Sequence, residues 1–177
     1  MRCYILTQLH NKTTIYWTWL NHNDWKMYMA ATSKGLCFVG SQNGPFEEVA
    51  KWAEKALPGS EFEENNEILR PYSEQIMEYL EGERKDFTLS FDYNGTAFQQ
   101  AVWKALCEIP YGQTKSYSDV ANHINKPAAV RAVGAAIGKN PILITVPCHR
   151  VIGKDGSLTG FRGGLEMKKQ LLELEQK

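Results

Sequence analysis

The chain has 177 residues, 20 Lys and Arg balanced by 20 Asp and Glu, 43% hydrophobic residues and four Cys. That composition belongs to a compact globular protein and excludes a disordered or fibrous chain; no run approaches the roughly 20 apolar residues of a membrane span. Residues 1–7 lack the apolar core of a secretory signal, and Cys3, Cys37, Cys107 and Cys148 form no close pairs, so a cytoplasmic protein with reduced thiols is expected.

Residues 4–6, 14–19, 27–31 and 36–39 are rich in aromatic and β-branched side chains and read as strands of a small antiparallel sheet. Pro45 opens a helix carrying Phe46, Val49, Ala50 and Ala53, which stops before Leu57-Pro58-Gly59-Ser60. A second helical stretch runs from about Phe62 to Leu80, with Pro71 expected to split or kink it. Alternation of Phe87, Leu89 and Phe91 suggests one more strand, and Asp92-Tyr93-Asn94-Gly95 a turn. A domain boundary falls there. Residues 1–90 are expected to form a sheet-and-helix scaffold that contributes no catalytic residue, and residues 91–177 the functional domain.

Helix punctuation becomes explicit after the boundary. Thr96 with Gln99 is a capping box opening a helix with Phe98, Val102, Ala105, Leu106 and Ile109 on one side, closed by Pro110-Tyr111-Gly112. Ser116 with Asp119 starts a short helix, and Pro127 begins another that ends at Gly138. Two short helices joined by a tight turn read as a helix-turn-helix. The overall expectation is an α/β (α+β) protein: a small sheet-plus-helix domain, then a mainly helical, winged-helix-like one. The second helix is nearly bare, since Ala128, Ala129, Ala132, Gly134, Ala135 and Ala136 leave Arg131 as its one long polar side chain. Such a surface packs a helix or meets DNA closely; a cation without a core partner favours DNA. Charge agrees, because residues 1–88 hold 9 basic and 13 acidic side chains whereas residues 89–177 hold 11 and 7.

The segment Pro147-Cys148-His149-Arg150-Val151 places a thiol beside an imidazole after an apolar run. A free thiol, with pKa near 8.5, needs a nearby base or cation to become a nucleophile at neutral pH. Neighbours on an extended strand face opposite ways, so His149 should reach the sulfur only across a turn or through a water.

That segment, with Gly138-Lys139-Asn140-Pro141 before it and Gly160-Phe161-Arg162-Gly163-Gly164-Leu165 after it, resembles the active-site region of the O6-alkylguanine-DNA alkyltransferases. The resemblance is strong over residues 87–175, and Gly35-Leu36-Cys37-Phe38-Val39-Gly40 gives a weaker echo of the family's N-terminal domain. It implies that Cys148 accepts the alkyl group, that His149 takes its proton through a water, and that Glu175 completes the relay. It further implies that Asn140 holds the turns around the site and that the Tyr117 hydroxyl serves guanine N3. Arg131 would fill the gap left by a flipped base, with Ser116, Ala129, Ala132 and Gly134 on the minor-groove surface. Pro147, Val151, Thr159, Gly160 and Phe161 would line the base pocket; Arg162, beside them, matches a variable position.

The expected partner is double-stranded DNA containing O6-alkylguanine, with O4-alkylthymine left open, and the protein is expected to be a monomer without cofactor. Zinc is not expected, because the candidates Cys3, His10, His22 and Cys37 follow no compact ligand spacing. A non-catalytic damage binder would lack Cys148, a thiol hydrolase would leave Arg131 and the bare helix unexplained, and a transcriptional regulator would not need the thiol.

Overall fold

The computed structural model describes residues 12–177, so the strand expected at residues 4–6 lies outside it. Strands β1 (Thr14–His22), β2 (Trp25–Thr32) and β3 (Gly35–Val39) form an antiparallel meander. Alternation assigns the faces: Leu20, Met27 and Met29 pack with Leu69 and Ile76, while Ile15 and Ala30 pack with Val49 and Ala53 of α1 (Glu47–Ala56). Pro45 stands just outside α1, whose N-cap is Phe46, two residues later than the sequence suggests.

Two expectations are corrected here. Residues 62–64, assigned to the start of a helix, belong instead to β4 (Glu61–Glu64), which pairs parallel with β1 and closes the sheet in the order β3-β2-β1-β4. All four residues are exposed, so no burial pattern announced the strand. Helix α2 (Asn66–Leu80) starts after it, with Asn65 accepting from the Ile68 amide, and runs unbroken past Pro71. One missing backbone bond is outweighed by burial of Leu69, Ile76, Tyr79 and Leu80, each such side chain contributing about 1.5–3 kcal/mol.

The alternation of Phe87, Leu89 and Phe91 yields only a single bridge, between Phe91 and Leu36, and not a strand. The segment still lies against β3, through Leu36 N–H to Ser90 and Asp92 N–H to Leu36. Gly35 permits this approach, because a Cβ there would stand 2.4 Å from the Ser90 carbonyl oxygen.

Helix α3 (Ala97–Cys107) carries the expected Thr96–Gln99 capping box. Short β5 (Lys115–Ser116) leads into α4 (Tyr117–His123), whose Ser116–Asp119 capping box is also formed. A 3₁₀ turn at Pro127–Ala129 enters α5 (Val130–Gly138), and the Trp103 indole N–H ties α3 to the Ala136 carbonyl of α5 at 2.9 Å. β6 (Val151–Ile152) pairs parallel with β5, and α6 (Leu165–Leu174) closes the chain. The architecture is the expected α/β one, a small sheet region followed by a mainly helical region. One interior serves both, since a single apolar cluster runs from Met29 and Leu69 through Leu106 and Val133 to Leu171. Among the described residues, no helix is long and apolar enough to cross a membrane.

Candidate active site

Cys148 opens a 3₁₀ turn, Cys148–Arg150, the turn geometry that the sequence reading left open in place of an extended strand. All three side chains turn inward and are buried. The approach to this turn is strained: Ile144, β-branched, sits at φ 68°, a left-handed conformation that costs of order 1–3 kcal/mol. Asn140 holds it there. Its Nδ2 donates to the carbonyls of Ile142 (3.3 Å) and Val146 (3.0 Å) and to Cys148 Sγ (3.1 Å), and its Oδ1 accepts from Ile142 N–H (2.9 Å).

His149 Nε2 lies 2.8 Å from Glu175 Oε1, at the C-cap of α6. Arg150 reaches the same carboxylate through Nε (3.1 and 3.0 Å) and Nη2 (2.9 Å), and Gly112 N–H donates to Oε2 at 3.0 Å. A carboxylate surrounded by donors accepts from Nε2–H, which leaves Nδ1 as the basic nitrogen. Nδ1 is buried and meets no hydrogen-bond partner among the described residues.

Burial lowers the His149 pKa, aided by Arg150 and Lys168 and opposed by Glu175, so the ring is neutral and able to take a proton. Burial pushes the Cys148 thiol up, against the pull of Asn140, Arg162 and Lys168. Burial also pushes Glu175 upward, but hydrogen bonds from His149, Arg150 and Tyr79 prevail and bring it to about 2. It stays ionised at neutral pH.

A second group stands beside the turn. Tyr117 donates its hydroxyl to the Thr159 carbonyl at 2.9 Å and accepts from Thr159 Oγ1 at 3.3 Å. Its ring lies against α5 at Gly134, where a Cβ would be 3.6 Å away. Gly160 follows at φ 46°, and Phe161 packs on the main core. Val151 and Pro147 are buried.

Ser116 is committed to capping α4, bonded to Asp119 and Ser118. Arg131 and Ala132 lie exposed on α5, with Ala129 half-buried in the turn before it. The chain thus brings Cys148, His149, Glu175 and Asn140 into one buried group and leaves Arg131 on the outer face.

Three contributors were missed from sequence. Tyr79 of α2 donates to Glu175 Oε1 at 2.5 Å, so the first half of the chain is not a bystander. Lys168 is fully buried and donates from Nζ to the carbonyls of Val151 (2.6 Å) and Thr159 (2.9 Å), fixing two walls of the site. Arg150, noticed only as part of a motif, also donates from Nη1 to the Ile109 carbonyl. Arg162, in contrast, turns away from the Tyr117 group: it binds the carbonyls of Val39, Asn140 and Pro141, pairs with Glu48 and covers the Phe38 ring.

Of the zinc candidates, His22 contacts Glu81, the Cys37 thiol donates to the Ala30 carbonyl, and Cys3 and His10 lie outside the described residues.

The family model for the DNA binding domain of 6-O-methylguanine DNA methyltransferase matches residues 97–177, and that for its ribonuclease-like domain matches residues 15–93. The chain is 66% identical over 167 residues to the inducible methylated-DNA–protein-cysteine methyltransferase of Bacillus subtilis strain 168, covering 94% of this chain and 93% of that protein. It is 44% identical over 147 residues to the methylated-DNA–protein-cysteine methyltransferase of Methanosarcina acetivorans, covering 83% and 89%. The crystal structure of Mycobacterium tuberculosis OGT in complex with DNA matches with a TM-score of 0.77 at 37% identity, covering 91% of this chain and 92% of that one.

Proposed function

Since the chain belongs to the 6-O-methylguanine DNA methyltransferase family, we propose that Cys148 is the residue that takes the alkyl group, once per protein molecule. The protein repairs methylated DNA by direct reversal, transferring the alkyl group to a cysteine. The observation that carries the assignment of Cys148 is its place at the end of a buried network, Cys148–Asn140 on one side and His149–Glu175 on the next residue.

The chemistry sets the order of events. A methyl on guanine O6 lies inside the base stack, so the nucleotide is extruded at a cost of a few kcal/mol. Arg131, on the exposed bare helix, occupies the place the base leaves, while Ala129, Ala132, Gly134 and Ser116 face the minor groove. The base enters between Val151, Pro147 and residues 159–161. The Cys148 thiol then passes its proton through a water to His149 Nδ1, and Glu175 stabilises the imidazolium. The sulfur attacks the methyl carbon in line as the carbon–O6 bond breaks. Tyr117, exchanging the Thr159 carbonyl for guanine N3, supplies a proton to the departing purine. One methyl moves from oxygen to sulfur, and one proton, on balance, from sulfur to the purine. The product is a thioether with no route back, so no turnover follows and no methyl donor is needed.

Residues 91–177 form the DNA-binding and acceptor domain in this reading, and residues 1–90 its support. A cytoplasmic location follows from the need to keep Cys148 reduced.

Incubation with excess duplex carrying O6-methylguanine, followed by intact and peptide mass, tests the assignment. One methyl per protein, on Cys148, is expected; Cys148→Ala should gain none while still binding duplex. Methyl on another residue, or no gain despite binding, refutes it.

A further inference from the structure

Tyr79 lies in the last turn of α2, fully buried, with its hydroxyl 2.5 Å from Glu175 Oε1 and 3.3 Å from His149 Nε2. Nε2 is 2.8 Å from the same carboxylate oxygen, so phenol, imidazole and carboxylate meet at one point. The partners are 70 and 96 positions away in the chain. Packing alone would not call for a hydroxyl here. The ring already packs against Phe87, tilted, and Tyr111, edge-on, with centroids at 5.3 and 5.9 Å, which Phe would do equally well, and a buried hydroxyl is costly unless it is used.

We propose that Tyr79 is a positioning residue for alkyl transfer: its hydroxyl holds the carboxylate oxygen that receives His149 Nε2–H, and so keeps Nδ1 as the proton acceptor. This rests on Cys148 being the alkyl acceptor. Glu175 takes five donors, from Tyr79, His149, two nitrogens of Arg150 and the Gly112 amide, against about four lone-pair sites. Removing the phenol frees the carboxylate to follow Arg150 and concentrates charge on the oxygen facing His149.

The groups around this junction are Tyr79 from α2, Tyr111 after α3, Cys148 and Arg150 from the 3₁₀ turn, and Lys168 and Glu175 from α6. Arg150 and Lys168 oppose a proton on His149, and Glu175 favours it. Tyr79, by donating to Glu175, moderates the one group that favours it. Loss of the hydroxyl therefore lets His149 take up a proton at higher pH, where it can no longer act as a base.

Single-turnover transfer from O6-methylguanine duplex is measured against pH for the full chain, Tyr79→Phe and Leu69→Ala. Leu69→Ala loosens the same helix without touching the junction. Tyr79→Phe should transfer about tenfold more slowly at unchanged duplex Kd, with the acidic limb of its profile moved to higher pH. Leu69→Ala, below its unfolding temperature, should keep the wild-type rate and limb. A wild-type profile for Tyr79→Phe overturns the proposal, as does equal slowing of both variants with an unmoved limb. Peptide mass in the wild-type arm separates the two readings: methyl away from Cys148 refutes the acceptor, whereas methyl on Cys148 with identical profiles refutes the role of Tyr79 alone.

Discussion

Glu175 accepts from five donor groups on three side chains and one backbone amide, with no part of its side chain open to solvent. Arg131, on the exposed face of α5, makes no hydrogen bond or ion pair among the described residues. On the proposed reading the first group must be in place before the substrate arrives, because a proton relay assembled during the reaction would add its ordering to the barrier. On the same reading the second must be uncommitted until the substrate arrives, because its proposed partner is the gap in a duplex. On that reading folding completes the interior end of the site and leaves the outer end for DNA to complete.

Glu175→Gln attacks the completed end and should have the largest effect. It leaves the Arg150 guanidinium buried without its counter-charge, and unfolding free energy should fall by about 3–5 kcal/mol in denaturant titration. The pH dependence has a definite sign. Glu175 is held at about 2, below its ordinary 4.5, so its contribution is present above pH 4.5 and lost as pH falls toward 2. Glu175→Gln should flatten the stability profile across that window; an unchanged slope would mean that the carboxylate is not carrying it.

Arg131→Ala attacks the open end. Stability should stay within about 0.5 kcal/mol, because the side chain holds nothing in the free protein. Transfer from a paired O6-methylguanine should slow about tenfold, and less when the lesion is already unpaired, since extrusion then costs less. Equal slowing on both substrates would assign Arg131 to phosphate contact instead. Gly134→Ala should have the smallest effect and the opposite sign on folding. The new methyl meets the Tyr117 ring at ordinary contact distance, and removing a helical glycine should stabilise the fold by about 0.5–1 kcal/mol. If α5 meets DNA at that point, duplex affinity should fall in the same variant, as read by fluorescence anisotropy.

How much of this was legible in the sequence follows the range of the interactions involved. Capping boxes act over three residues, and both Thr96–Gln99 and Ser116–Asp119 formed where the sequence placed them. β4 was illegible because Glu-Phe-Glu-Glu carries no burial pattern; its partner, β1, supplies the order. The alternation of Phe87, Leu89 and Phe91 had the period of a strand but only one bridging neighbour, so pattern exceeded pairing. In the site, Cys148, His149 and Glu175 were named through resemblance to a family, and their contacts belong to the fold. Tyr79 and Lys168 gave no signal, since one reads as a core aromatic and the other as a solvated helix lysine. Only tertiary packing turns a phenol in α2 toward the carboxylate that ends α6.

Cys148 exposes 2% of its surface, and burial holds its thiol in the protonated form more firmly than in free cysteine. Peroxides and stray electrophiles act on accessible thiolates, so burial and protonation both slow their attack. An ordinary enzyme that suffers one such accident has already turned over many times, whereas a protein with one sulfur to spend forfeits its entire output. Concealment of the sulfur thus lengthens the working lifetime of each idle molecule, and it lasts only while the turn at residues 148–150 stays folded.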